Sequence, residues 1–368
     1  MSEKSVHLPQ ELIVKILLRV PVKTVLRCKC VSKSWLSLIS NHDFATSHFQ
    51  LGATPTQKLV CLRSYSRETI SIDFNASLND DSSYASRSLD FLSGGPCHKI
   101  RGSCRGFLLF HGDTNFCAWN PSTGVHKQIP ESPIAIPSTA DCYSRILCGF
   151  GYESLANDYL VVLLSRDSYD SYDSLIYLQI FSLRANKWKL MEFGSHFPYC
   201  ISITQLGLPL NDAIHWLVYS FETHRYVIVA FDLKEMKMSV IDLPDVLDNY
   251  TCCIVYDLLV LGGLLGVWNV ELPAVDIWMI QEYPTYSSWS KTHSFSLDSY
   301  FSPICFANCG YLIGIDDEGG LIKFNDKGQL LERHSNGNSS YCNFYFGSHT
   351  MIVYRESLFS LPNGSEQT

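Results

Sequence analysis

The sequence lacks the features that mark secreted, membrane-spanning or metal-dependent proteins. Its 14 cysteines form no CxxC pair of the kind that binds zinc and lie scattered through apolar runs, which favours reduced thiols. The first seven residues hold no apolar signal core, and the most hydrophobic run, Ile254 to Val267, is too short to cross a bilayer. These absences predict a cytoplasmic or nuclear protein with no metal, no cofactor and no membrane partner.

Phosphate-binding features are also scarce. The sequence has no glycine-rich loop of the GxxxxGK[ST] type. The first 50 residues hold seven Lys and Arg against three Asp and Glu, so the totals of 28 and 36 leave 21 against 33, or −12, for the remainder. An acidic domain repels phosphates, which argues against nucleic acid as its ligand. The basic N-terminal part favours an acidic partner.

The N-terminal part has the pattern of a small helical module. A first helix is predicted over residues 8–20, because Pro9 suits a first turn and one apolar stripe contains Leu12, Ile13, Ile16, Leu17 and Val20. Leu18 lies off this stripe, and we expect it to face a second protein. A helical module of roughly 45 residues is too small to cover all of its apolar surface by itself. This predicts an obligate partner.

Two further helices follow. Pro21 ends the first helix, residues 22–29 form a short second one, and Ser32 caps a third. The residues predicted to share one face of this third helix are Val31, Trp35, Leu38 and Ile39. Three short helices are therefore expected.

The segment LPQELIVKILLRVPVKTVLRCKCVSKSWLSLISNHDF resembles the F-box of plant F-box proteins. The resemblance implies docking onto a Skp-type adaptor, and through it onto a cullin and a RING protein. The positions matching adaptor-contact or core residues of the family are Leu8, Pro9, Ile13, Leu17, Pro21, Val22, Val31 and Trp35. Val20, Thr24 and Cys28 depart mildly from the family pattern.

From about residue 57 the helical period gives way to short apolar runs separated by turn clusters such as Asn-Pro-Ser-Thr-Gly at 120–124. The clearest predicted strands are 107–110, 159–164, 175–183, 226–233, 275–280 and 321–325. Aromatic residues that end one strand of each hairpin recur at 45- to 62-residue intervals, at Phe74, Trp119, Phe181, Phe231, Trp278 and Phe324. These intervals are typical of propeller blades and predict six blades, with seven as the alternative.

The same region resembles the plant F-box-associated domain through GSCRGFLLF, WNPSTG, IFSLRANKWK, HWLV and YRESLFSL. The resemblance implies a kelch-like or galactose-oxidase-like propeller that binds the protein to be ubiquitinated. Asp212 stands where the family usually has Gly. The longest aromatic interval, from Trp119 to Phe181, contains two loops, 130–142 and 165–174, that suggest target contacts. The residues proposed for these contacts are Tyr143, Arg166, Asp167, Tyr169, Asp170 and Tyr172.

Catalytic and metal-binding interpretations have weaker support. Gly102-Ser103-Cys104-Arg105-Gly106 has the spacing of a hydrolase nucleophile elbow, but the predicted strand that follows leaves no helix N-terminus to activate Cys104. The triplet Asp167, Asp170, Asp173 lacks the alternate-residue ligands and the Gly of a calcium loop. No catalytic residue is predicted.

The expected fold is an α+β multidomain chain with an F-box at 1–50, a linker at 51–56, a propeller at 57–363 and a tail at 364–368. The expected function is the substrate-recognition subunit of a Skp–cullin–F-box ubiquitin ligase, which is itself not an enzyme. Two alternatives remain open: a propeller that binds a carbohydrate or small molecule, and an adaptor-bound interaction protein outside any ligase.

Overall fold

The computed structural model describes 8–51, 57–62, 68–73, 77–78, 84–92, 99–112, 115–134, 146–166, 175–194, 199–200, 206–247, 255–271, 274–282, 289–296, 301–306, 310–316, 320–334 and 351–361. The N-terminal helices are α1 (Gln10–Leu17), α2 (Val22–Cys28), α3 (Lys33–Ser40) and α4 (His42–Leu51). The three predicted helices are confirmed, and α4 is an addition that corrects the three-helix expectation.

Helix boundaries follow from local chemistry. Pro9 and Pro21 directly precede α1 and α2, where a fixed φ and a missing N–H cost nothing. The Ser32 hydroxyl accepts from the Trp35 N–H at 3.2 Å and caps α3. Asn41 caps α4, its Oδ1 accepting from the N–H of Asp43 at 2.7 Å. The sequence of α4 is mainly polar, so its cap was the only strong signal for it.

The remainder is a propeller-like β domain built from antiparallel meanders. Four sheets have four strands each: β25-β1-β2-β3, β4-β5-β6-β7, β17-β18-β19-β20 and β21-β22-β23-β24. A fifth has nine strands, ordered β11-β10-β9-β8-β13-β14-β15-β16 with β12 paired to β14.

The strands in the first half of the domain are β1 (Gln57–Leu62), β2 (Glu68–Asp73), β3 (Tyr84–Ser88), β4 (Lys99–Cys104), β5 (Phe107–His111), β6 (Phe116–Trp119), β7 (His126–Ile129), β8 (Ile146–Glu153), β9 (Asp158–Arg166), β10 (Ile176–Ser182), β11 (Lys187–Gly194) and β12 (Tyr199–Cys200). Those in the second half are β13 (Leu206–Leu210), β14 (Ala213–Ser220), β15 (Arg225–Asp232), β16 (Lys237–Asp242), β17 (Val255–Leu261), β18 (Leu264–Glu271), β19 (Ala274–Ile280), β20 (Trp289–Ser296), β21 (Phe301–Phe306), β22 (Leu312–Asp316), β23 (Leu321–Phe324), β24 (Leu330–His334) and β25 (Met351–Arg355). All six predicted strands are confirmed.

The nine-stranded sheet consists of two four-strand meanders joined edge to edge. Strands β8 and β13 pair in parallel over two positions, Cys148 with Leu206 and Gly149 with Gly207. A Cβ added to Gly207 would lie 2.8 Å from the Gly149 Cα, so glycine permits this close approach of backbones. Among the described residues, the sheets therefore number five and do not separate into six.

The aromatic repeat corresponds to a real structural period. Trp119, Phe181, Phe231, Trp278 and Phe324 lie in β6, β10, β15, β19 and β23, which are each the third strand of a four-strand meander. Four of the five are buried, whereas Trp278 is half-buried. Phe74, the first member of the repeat, lies outside the described residues.

The two ends of the β domain meet in one sheet. Strand β25 pairs with β1 in antiparallel register, from Gln57 opposite Arg355 to Cys61 opposite Met351. The C-terminal strand therefore completes the sheet that the first strand begins.

One apolar core is shared by the helices and the β domain. Leu17, Val25, Ile39 and Phe44 of the helices belong to the same buried cluster as Phe107, Phe150, Phe181 and Phe359 of the β domain. Among the described residues, no helix is long and apolar enough to cross a membrane. The described part of the chain also shows no cluster of three or more His, Cys, Asp and Glu able to hold a metal ion.

Candidate functional site

The helices present large apolar side chains to solvent. The exposed fraction is 54% for Leu8, 44% for Leu12, 52% for Ile16, 62% for Val31 and 47% for Leu36. We call these five residues the apolar helix surface. Exposed large apolar side chains that are concentrated in one short region of a chain are typical of protein-binding sites.

Helix α1 has two apolar faces, which the single-stripe expectation did not separate. Leu12 and Ile16, spaced i and i+4, share one face and are exposed, whereas Val14, Leu17 and Leu18 lie on the opposite side and pack against the shared core. The prediction that Leu18 faces a second protein is therefore wrong. The residues of α1 that face solvent are Leu12 and Ile16. The single apolar stripe expected from the sequence had placed both of them in the core of the helical module.

The predicted adaptor-contact residues divide by burial. Leu8, Pro9, Pro21 and Val31 are exposed, Ile13 and Trp35 are half-buried, and Leu17 and Val22 are buried at 2% and 4% exposure. The last two occupy core positions in this chain. Val31 precedes α3 and does not share its packed face, which corrects that expectation. Sequence reasoning missed Leu12, Ile16 and Leu36 as exposed candidates, although the i, i+4 spacing of the first two was visible.

The helices that carry the apolar helix surface have a net positive charge. Residues 8–51 hold six cations against the two acidic residues Glu11 and Asp43, a net charge of +4. The exposed cations are Lys15, Arg19, Lys23, Arg27 and Lys33, and burial lowers the pKa of the sixth, Lys29. Exposed apolar side chains on a positively charged helical module fit an acidic protein with an apolar groove.

The helices lie on the face of the β domain that carries its tight turns. The Arg105 guanidinium, in the β4–β5 turn, lies 5.9 Å from the ring centre of Phe49 and 3.8 Å from that of Tyr152. The β8–β9 turn next to Tyr152 contacts the β13–β14 turn, where the Ser154 hydroxyl donates to Asp212 at 2.9 Å. These turns therefore form one continuous face with α4.

Arg166, the one predicted target contact among the described residues, lies at the opposite strand ends. Ile146, the first residue of β8, pairs with Ser165, and Arg166, the last residue of β9, pairs with Ile176. These positions are the far ends of strands whose other ends form the tight turns. The other predicted contacts, Tyr143, Asp167, Tyr169, Asp170 and Tyr172, lie outside the described residues.

Sequence reasoning missed an aromatic cluster at the same far end. Tyr219 pairs with Tyr226 across β14 and β15, with ring centres 5.5 Å apart. Phe221, 52% exposed, lies 5.9 Å from Tyr219 in a perpendicular arrangement. Clustered aromatics with exposed faces are frequent anchors in protein recognition, and their spacing across the hairpin was the available signal.

Cys104 has the environment of a structural thiol. It ends β4, and β5 begins at Phe107 with no helix between them. Burial raises the pKa of Cys104 to about 12, so the thiolate that nucleophilic attack requires is scarce at neutral pH. The strand expected after this segment is confirmed, and the elbow geometry is not formed.

Asp212, the departure from the family pattern, stabilises the tight-turn face. Its φ is +57°, and its carboxylate accepts from the Ser154 N–H at 3.1 Å and hydroxyl at 2.9 Å. Lys234 adds an ion pair at 2.6 Å. The acid therefore connects three turns that belong to two meanders.

A helical docking surface fixed on a propeller-like domain defines a class of protein that joins an adaptor to a second ligand. Residues 6–46 match the model of the F-box domain, and residues 57–329 match that of the F-box associated beta propeller domain. The chain belongs to this F-box family, which is populated by plant proteins. Its F-box domain implies binding of a Skp-type adaptor.

Curated relatives from Arabidopsis thaliana span most of the chain. F-box protein CPR1 is 28% identical over 329 residues, which cover 82% of this chain and 77% of the relative. An F-box/kelch-repeat protein is 27% identical over 372 residues, covering 97% of this chain and 96% of the relative. The similarity therefore includes both the helices and the β domain.

Proposed function

We propose that this chain is the substrate-recognition subunit of a Skp–cullin–F-box ubiquitin ligase. Its helices bind the adaptor, and its β domain binds the protein that is to receive ubiquitin. The ligase accelerates transfer by holding target and ubiquitin-charged enzyme together, so the chain contributes proximity and no reacting group. Family members of this type are generally non-catalytic adaptors, which supports this division of roles.

The observation that carries the proposal is the apolar helix surface. Leu12 and Ile16 remain exposed although the other face of α1 packs into the core that the helices share with the β domain. Neither the helices nor the β domain uses these side chains for folding. Their exposure is explained by a partner that covers them.

The direct test is adaptor binding by a Leu12→Asp, Ile16→Asp double variant, measured by calorimetry with a purified plant Skp-type adaptor. Wild type is expected to bind at about 1 μM or tighter, and the double variant about 100-fold more weakly, because two carboxylates would be buried in an apolar contact. The matched control is Val246→Asp, a 65% exposed apolar residue of the β domain. Equal affinity of wild type and double variant would contradict the proposal.

We further propose six blades. The four four-stranded sheets account for four, and the meanders β8–β11 and β13–β16 for the other two, since only two residue pairs of β8 and β13 join them. Recurrence of the aromatic residue in the third strand of five of these meanders supports this count.

We propose that the target binds at the far strand ends, away from the helices. The support is that α4 covers part of the tight-turn face, whereas the half-buried Tyr219 and the exposed Phe221 and Tyr226 lie at the other end of their strands. Assembly with a cullin distinguishes this ligase role from that of an adaptor-bound protein outside a ligase. Ubiquitination reconstituted with adaptor, cullin and RING protein provides that test.

A further inference from the structure

Two arginines and three aromatic rings connect helix α4 to the β domain. We call Phe49, Arg105, Tyr152, Arg355 and Phe359 the arginine junction. The Arg105 guanidinium lies 3.8 Å from the ring centre of Tyr152 and 4.4 Å from that of Phe359. The rings of Phe359 and Phe49 are 5.3 Å apart. Arg105 therefore lies among rings from three separate parts of the chain.

Arg355 contacts the same helix residue, Phe49. Its guanidinium lies 4.2 Å from the ring centre of Phe49, and its Nη2 donates a hydrogen bond to the Phe49 carbonyl oxygen. Arg355 is also the last residue of β25 and pairs with Gln57, the first residue of β1. Phe49 is thus held between a turn of one sheet and the closing strand of another.

The segment that carries Phe359 is itself anchored in the β domain. The fully buried Asn120 donates to the Ser357 hydroxyl at 3.1 Å and to the Phe359 carbonyl oxygen at 3.0 Å. At Gly106, whose φ is +86°, an added Cβ would lie 2.1 Å from the Ser357 hydroxyl oxygen. The junction therefore rests on a surface with little freedom to shift.

Directional contacts distinguish this junction from the shared core around it. Burial of apolar surface has no preferred direction, whereas a guanidinium over a ring and a charged hydrogen bond to a carbonyl oxygen both fix an orientation. Only the five residues 52–56 connect α4 to β1. The angle between helices and β domain therefore depends on contacts such as those of Arg105 and Arg355.

We propose that Arg105 and Arg355 are positioning residues, which fix the adaptor-docking helices at one angle to the β domain and so determine which lysines reach the ubiquitin-charged enzyme. This inference rests on the proposed ligase function. In a proximity mechanism, orientation selects the acceptor as well as the rate. A loosened junction would spread transfer over more lysines without weakening adaptor binding.

The test uses the full chain in a ligase reconstituted with a plant adaptor, cullin and RING protein, and requires no target. Lysines of the β domain that receive ubiquitin are mapped and quantified by mass spectrometry for wild type and for an Arg105→Ala, Arg355→Ala double variant. The matched control is Arg184→Ala, a tight-turn arginine that donates to the Ala156 carbonyl oxygen at 2.5 Å. Arg105→Lys and Arg355→Lys replace the double variant if it fails to fold.

For the double variant we expect an adaptor affinity within about twofold of that of wild type. We also expect the share of ubiquitin on lysines that are minor sites in wild type to increase about threefold, because weak cation–π contacts that hold the helices are lost. A purely structural role would lower all sites in proportion. An unchanged distribution in the folded variant would overturn the inference.

Small-angle X-ray scattering of the free full chain tests the junction independently of any ligase. The double variant is expected to have a larger radius of gyration than wild type and Arg184→Ala, because the helices can take several angles. Identical scattering curves would overturn the inference. Failure of the proposed function has a different signature, namely a wild-type chain that does not bind the adaptor.

Discussion

The helices and the β domain differ in how many of their large apolar side chains are exposed to solvent. In residues 8–51 six of these side chains are exposed, Leu8, Leu12, Ile16, Val31, Leu36 and Leu51, against eight in the several-fold longer described part of the β domain. A folded unit leaves such groups in water mainly where a partner covers them. The comparison indicates that the helices carry a dedicated docking surface, whereas the strands of the β domain mainly build a scaffold.

The difference does not make the two regions independent, because they share one core. Helix α1 presents Leu12 and Ile16 outward and buries Leu17 against the cluster that contains Phe107 and Phe359. One short helix therefore contributes to both docking and folding.

The largest predicted effect comes from the shared core. Phe359→Ala should lower the free energy of unfolding by about 3–5 kcal/mol, because Phe359 is 1% exposed and its removal leaves a cavity between α4 and the β domain. Urea unfolding followed by tryptophan fluorescence measures the change. Leu155→Ala, at a position 82% exposed, is the control and should have almost no effect. Equal stabilities of the two variants would contradict a shared core.

A smaller effect is expected at the polar anchor of the C-terminal segment. Asn120→Ala should cost about 1–3 kcal/mol of unfolding free energy, because carbonyl and hydroxyl groups of Ser357 and Phe359 lose a buried donor. In hydrogen exchange, the Asn120→Ala substitution should accelerate exchange at 355–361 more than it accelerates exchange in β14. The exposed Ser239→Ala on β16 is the matched control. Unchanged exchange at 355–361 would show that this segment is held without Asn120.

The smallest effect concerns the turns of the β domain. Hydrogen bonds from Lys234 and Ser154 outweigh burial and keep the pKa of Asp212 below its ordinary value of 3.8. A depressed folded-state pKa contributes stability above pH 3.8 that is lost as the pH falls through the folded value. Asp212→Asn should therefore reduce the difference between urea midpoints at pH 6 and pH 3. An unreduced difference would mean that other carboxylates account for the acid sensitivity.

Local patterns predicted most of the elements. The six quoted strands, the Ser32 cap and the aromatic period at Trp119, Phe181 and Phe231 could all be predicted, because they depend on neighbours in sequence. Helix α4 could not, because its stability comes from packing of Phe44 and Phe49 on the β domain. The packing of Leu17 and Leu18 opposite Leu12 likewise depends on which side of α1 faces the shared core.

The arginine junction was beyond sequence reasoning for the same physical reason. Arg105 and Arg355 are separated by 250 positions, and their common contact with Phe49 arises only when β25 pairs with β1. Spacing along the chain carries no signal for contacts of this kind. Asp212 was recognised as unusual, but its bonds to Ser154 and Lys234 required the neighbouring turns to be in place.

The central claim is that opposite faces of α1 serve the adaptor and the core shared with the β domain, and the most direct measurement compares the adjacent variants Ile16→Asp and Leu17→Asp. Each is examined for thermal unfolding and for adaptor binding by calorimetry. We predict that Ile16→Asp melts like wild type and loses adaptor affinity, whereas Leu17→Asp lowers the melting temperature, because Ile16 is 52% exposed and Leu17 only 2%. An Ile16→Asp protein that binds the adaptor as wild type does would contradict the claim.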